Sequence, residues 1–220
     1  MEEHKVVILK RLAEAIIAGE AKEAQRLAKG ALQAGIEPMQ AINEGLMPGL
    51  TEVGRRFETH EFFLPELILA AEATKKGVAV LEEAIASRGG KREALATVVL
   101  GTVKGDIHSI GKSLVGAVMS AHGFNVIDLG VDVPADRFIA ELERTGAQIL
   151  AMSALLPITM PYMQHVIAEL KKCGLREKVK VVVGGAPVTP AYAQQIGADA
   201  YGRNAVDGVR VVTALLGLNA

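Results

Sequence analysis

Apolar residues recur at helical spacing from the beginning of the chain. Val6, Leu9, Ala13, Ile16 and Ile17 form one stripe, and Gly19 closes that helix. Residues 20–34 predict a second helix, which Gly35 ends. Pro38 suits the first turn of a third, which carries Met39, Ile42, Leu46, Leu50 and Val53. A fourth runs over 65–87. Short connections between four such helices predict a small antiparallel four-helix bundle. The run 87–92 is polar and bears two glycines, which is the composition of a linker. Beyond it the pattern changes. β-Branched runs at 96–100, 126–129, 148–152 and 179–183, with a weaker fifth at 198–201, alternate with helical patterns at 110–121, 135–144, 162–173, 190–196 and 205–216. That alternation predicts an α/β fold, a five-stranded doubly wound parallel sheet with helices on both faces. The expected organisation is a helical domain over 1–88, a linker at 89–92 and an α/β domain over 93–220.

Composition narrows the class. Half of the 220 residues are hydrophobic, 22% are charged, and 24 Lys+Arg against 25 Asp+Glu leave a formal charge of −1. Disorder requires lower hydrophobicity or higher net charge. A nucleic-acid binder would show a basic excess, so none is expected as partner. Cys173 is the single cysteine, which excludes a disulfide framework and points to a reducing compartment. The charged N-terminus has no signal-peptide apolar core. The longest stretch free of charge, 145–168, is broken by Gly146, Pro157 and Pro161, so no membrane span and a cytoplasmic location are expected. The chain has 23 glycines, 4% aromatics and no tryptophan, a composition that brings backbone close to something.

A flavodoxin- or Rossmann-like sheet binds its ligand at the carboxyl ends of its strands. The chemistry-bearing residues fall there. After the first strand, 101–111 carries Asp106 and His108 one residue apart, between Gly105 and Gly111. A carboxylate on one imidazole nitrogen fixes the tautomer and makes the other a better metal ligand. After the third strand come the hydroxyls of Ser153 and Thr159. After the fourth, Gly184-Gly185-Ala186 strips side chains from the edge. Each alone is an ordinary loop; His60, His122 and Cys173 carry no such company, and the two histidines read as surface residues. No HExxH, CxxC or phosphate-loop signature is present.

Asp106-x-His108-x-x-Gly111, Ser153-x-Leu155 and Gly184-Gly185 together resemble the fingerprint of cobalamin-binding domains. Glu44-Gly-Leu-Met47, Val53-Gly-Arg-Arg-Phe57 and Glu61-Phe-Phe-Leu-Pro65 resemble the helical cap found in cobalamin-dependent methionine synthase and in the small corrinoid proteins of anaerobic methyltransferase systems. The likeness spans residues 1 to about 216. It implies a cobalamin or related corrinoid cofactor, cycling between methylcob(III)alamin and cob(I)alamin. His108 would displace the cofactor's own base and ligate cobalt, with Asp106 on its far nitrogen and Thr159 continuing the relay. Gly105, Ile107, Ser109, Ile110, Gly111 and Leu155 would line the corrinoid. Ser153 would bond the nucleotide tail, whose slot Gly184, Gly185 and Ala186 would open. Pro157 stands where methionine synthases have a threonine, so one tail contact is expected to be missing. Phe57 and Leu64 would cover the upper face, and the linker would be the hinge of a moving cap.

The function implied is that of a carrier with no turnover of its own. It would shuttle methyl groups between a substrate-specific methyltransferase and a methyl-accepting one acting on tetrahydrofolate or a thiol, with a reductive activation protein as a further partner. The alternative is a cobalamin-dependent sensor or regulator, but photosensory relatives use a cap tryptophan that this chain lacks. A detached mutase subunit would not explain the helical cap. A receiver domain without cofactor would not explain the three-part signature.

Overall fold

Helix α1 (Glu2–Ile17) buries Leu9, Leu12, Ala15 and Ile16. The expected stripe is therefore rotated, and Val6 is exposed. Residues 6–9 are all apolar, so periodicity alone offers more than one face. The partner elements choose it. A Cβ placed on Gly49 would stand 2.6 Å from the Ala13 carbonyl oxygen, and one on Gly45 would stand 2.9 Å from a Leu12 methyl. Gly49 thus lets the two helix backbones come close to touching, and Gly45 makes room for the Leu12 side chain.

Helix α2 (Ala21–Gln33) follows. The third predicted helix is one helical run in three parts: α3 (Pro38–Gln40), a π-helical segment (Ala41–Leu46) and α4 (Met47–Glu58). The Met47 N–H donates to the Ile42 carbonyl, five residues back. Pro48 explains the widened turn, since proline has no N–H and its ring crowds the carbonyl four residues earlier. Ile42, Leu46, Leu50 and Val53 are buried as expected, whereas Met39 is exposed. Helix α5 (Leu64–Ser87) completes the helical part.

The structure, a computed structural model, describes residues 2–87 and 93–218. The chain divides into two compact units, Met1–Glu93 and Ala94–Ala220. The linker expected at 89–92 lies outside the described residues.

In the second unit the elements run β1 (Thr97–Thr102), α6 (Ile110–Ala121), β2 (Asn125–Asp128), α7 (Ala135–Thr145), β3 (Ile149–Ser153), α8 (Pro161–Lys172), β4 (Lys180–Gly184), α9 (Pro190–Ile196), β5 (Ala200–Gly202) and α10 (Ala205–Leu215). All strand pairs are parallel, in the order β2-β1-β3-β4-β5. Helices α6 and α10 pack together on one face, and α7, α8 and α9 cover the other. Both faces being covered, β1 and β3 read as continuous apolar runs rather than alternating ones. The order reverses between β1 and β3. There the connections leave in opposite directions and open a crevice at the carboxyl ends. No helix among the described residues is long and apolar enough to cross a membrane.

Candidate functional site

The loop after β1 enters that crevice, and its centre is Asp106. The residue is fully buried. Its Oδ1 accepts the His108 backbone N–H at 3.1 Å and lies 2.7 Å from His108 Nδ1. Its Oδ2 accepts the Leu155 N–H at 2.7 Å, the Leu156 N–H at 3.3 Å and the Thr159 hydroxyl at 2.8 Å. Burial pushes the Asp106 pKa up. The N–H groups of Leu155 and His108, the imidazole and the Thr159 hydroxyl more than offset it and hold the carboxyl well below the usual range. An ionised carboxylate at 2.7 Å requires a proton on Nδ1, so in the neutral ring Nε2 is the nitrogen that carries the lone pair. The His108 side chain is 45% exposed, so that lone pair is accessible while its orienting partner is not.

The loop is also held through its backbone. Gly105, at φ +86°, donates its N–H to Asp132 Oδ1 at 2.7 Å, and the Asp132 N–H donates to the Asp106 carbonyl at 2.9 Å. The buried Thr102 hydroxyl donates to the His108 carbonyl at 2.9 Å. At the start of α6, the buried Lys112 ammonium is paired with Asp128, whose Oδ1 also accepts the Gly130 N–H. None of Thr102, Lys112, Asp128 and Asp132 stands out in the sequence. A threonine at a strand end reads as core, and the others read as solvated charges.

The remaining sequence-predicted residues surround this centre. Ser153 ends β3 half-buried, and its hydroxyl makes no hydrogen bond among the described residues. Ile107, Ile110 and Leu155 are exposed apolar side chains on the loops that carry His108 and its supports. Ser109, Gly111, Pro157 and Ala186 are exposed as well. The two glycines at the end of β4 have a role that sequence did not supply. A Cβ on Gly184 would stand 2.8 Å from the Gly202 carbonyl oxygen, and one on Gly185 only 1.9 Å from that of Ala154. They admit the protein's own neighbouring backbone. Gly111 has open space where its Cβ would be. In the helical unit, Phe57 is half-buried on α4 and Leu64, at the start of α5, is exposed beside Phe63 and Ile68. His60 is exposed. His122 is only partly so, its Nδ1 lying 2.9 Å from the Val118 carbonyl, and burial lowers its pKa.

Among the described residues no group of three or more His, Cys, Asp or Glu side chains could build a metal site. One oriented imidazole can complete a coordination sphere but cannot supply a whole one. With an exposed apolar rim around it, the donor set fits a metal that arrives already held in a flat, largely apolar macrocycle.

Comparison with known proteins gives consistent matches. The B12 binding domain family matches residues 96–210, and a second B12 binding domain family matches 8–82. Trimethylamine corrinoid protein 1 of Methanosarcina acetivorans is 42% identical over 212 residues, covering 96% of this chain and 98% of that protein. The dimethylamine corrinoid protein of Methanosarcina barkeri is 41% identical, covering 96% and 99%. Among solved structures, the methanol:cobalamin methyltransferase complex of M. barkeri superposes with a TM-score of 0.84 at 30% identity, over 97% of this chain and 81% of that one. A cobalamin-binding protein of Desulfitobacterium hafniense gives 0.79 at 31%, over 94% and 97%.

Proposed function

The chain belongs to the B12-binding corrinoid proteins of methyltransferase systems, and on that footing we propose that it holds a corrinoid whose lower base is displaced by His108. It is a methyl-carrying corrinoid protein. It takes the methyl group from a substrate-specific methyltransferase and yields it to a second methyltransferase whose acceptor is tetrahydrofolate or a thiol. The observation that supports His108 as the cobalt ligand is its pairing with buried Asp106, which leaves Nε2 alone to act.

When bound, the corrinoid supplies the cobalt centre on which the methyl group travels. The protein's residues do the rest. Asp106 fixes the imidazole tautomer and orientation, and the Thr159 hydroxyl stabilises the carboxylate from behind. The exposed Ile107, Ile110 and Leu155 would offer the macrocycle apolar surface, and Gly105, Ser109 and Gly111 would leave it room above the loop. The Ser153 hydroxyl would bond the nucleotide tail beside Gly184, Gly185 and Ala186, and Pro157 would offer that tail no hydroxyl. On the family resemblance, Phe57 and Leu64 would cover the cofactor's upper face and exclude water there. Relatives at 41–42% identity are named for trimethylamine and dimethylamine, so methylated amines head the donors to be tried.

The experiment is reconstitution with methylcobalamin and a visible spectrum, followed by methyl transfer with candidate partner methyltransferases. A base-off spectrum is expected. His108→Gly should alter it, leave the fold intact and slow transfer by at least about 10–100-fold, the range seen on losing a mere outer-shell partner. A base-on spectrum that the substitution does not move would overturn the ligation.

A further inference from the structure

We propose that Thr102 is a positioning residue for His108, setting how readily the imidazole presents Nε2 to a metal. The proposal rests on His108 being the cobalt ligand and adds a residue to its control. His108 has four polar groups, and the structure accounts for three of them. Its N–H and Nδ1 are both taken by Asp106 Oδ1, and its carbonyl accepts the Thr102 hydroxyl at 2.9 Å. Only Nε2 is left. Asp106 alone fixes the ring relative to its own carboxylate. The Thr102 bond fixes the peptide plane at His108, and so the position of the whole residue relative to the sheet.

Thr102 is a rigid anchor. It is the last residue of β1, with no exposed surface. Its N–H donates to the Gly130 carbonyl at 3.0 Å, and its own carbonyl accepts the Val133 N–H at 3.0 Å. On the other side it lies in register with Ser153 of β3. The side chain is β-branched and therefore stiff about χ1. A loop tied to such a point samples fewer conformations before the ligand arrives, and ligation then costs less ordering.

Thr102→Val removes the hydroxyl and keeps the branched shape; Thr102→Ser keeps the hydroxyl. Each variant and the wild type would be loaded with cob(II)alamin, and the histidine nitrogen splitting read by electron paramagnetic resonance, with nitrogen-15 histidine labelling to identify it. Thr102→Val should raise the ratio of unligated to ligated His108 by about three- to tenfold, the factor one hydrogen bond commands, and Thr102→Ser should restore the wild-type ratio. An unchanged ratio in a folded Thr102→Val protein would overturn the role, as would a serine variant that fails to restore it. If the wild type itself shows no histidine nitrogen, the ligation by His108 fails instead. The cofactor-free protein then still decides on Thr102. Proton exchange at His108 Nδ1–H, followed by nuclear magnetic resonance, should quicken in Thr102→Val and not in Thr102→Ser, and equal rates in all three proteins would overturn the positioning role.

Discussion

Gly185→Ala is expected to destabilise the α/β unit by about 3–5 kcal/mol, because it combines a backbone clash with a conformation that alanine hardly enters. The added Cβ would stand 1.9 Å from the Ala154 carbonyl oxygen, at a φ of +122°. No side chain can rotate to relieve a contact with backbone. Either the end of β4 or the loop after β3 must move, and that loop supplies the Leu155, Leu156 and Thr159 donors to Asp106. Corrinoid binding should therefore fall together with stability. Gly111→Ala is the control: that position is helical, open space surrounds it, and the change should stabilise the unit by about 0.4–1 kcal/mol. Urea unfolding followed by circular dichroism measures both. A Gly185→Ala protein as stable as the wild type, or as Gly111→Ala, would refute the close approach.

Asp106→Asn should cost the cofactor-free protein about 2–4 kcal/mol at neutral pH, the range for leaving buried donors without their charged acceptor. Both carboxylate oxygens receive donors, and an amide has one oxygen only. Whichever way it is turned, an NH2 group faces N–H groups. The effect should also depend on pH, with a definite sign. The folded-state pKa of Asp106 is depressed. Its ionisation therefore contributes stability that is fully present above the unfolded-state value, about 4, and is lost as pH falls from there through the folded value. The difference between wild type and Asp106→Asn should shrink as pH falls below about 4. A difference independent of pH down to 3 would show that the carboxylate charge is not what these donors hold.

Much of this site was legible in the sequence because parallel strands covered on both faces must be apolar throughout. Each strand's end is then marked by the first residues that are not, and Asp106, His108, Ser153 and Gly184 all follow such runs. The supports were not legible, for different reasons. The Leu155 and Leu156 donors are main-chain groups that any residue type would supply. Thr102 is indistinguishable from β-branched core until its hydroxyl is seen against the His108 carbonyl. In the helical unit, residues 6–9 of α1 are uniformly apolar, and the elements packed against that helix, Gly45 and Gly49 among their residues, select the face that buries Leu12 and exposes Val6. The widened turn at Ala41–Leu46 leaves no trace in periodicity, although Pro48 is its physical cause.

The contact between Gly185 and Ala154 also orders events in time. His108 and Asp106 are synthesised early in the α/β unit, but the donors that hold Asp106 come from the loop after β3, and β4 packs against that loop from behind. Until Gly185 has left the ribosome and β4 has joined the sheet, the emerging chain contains His108 and Asp106 without the full frame that holds them.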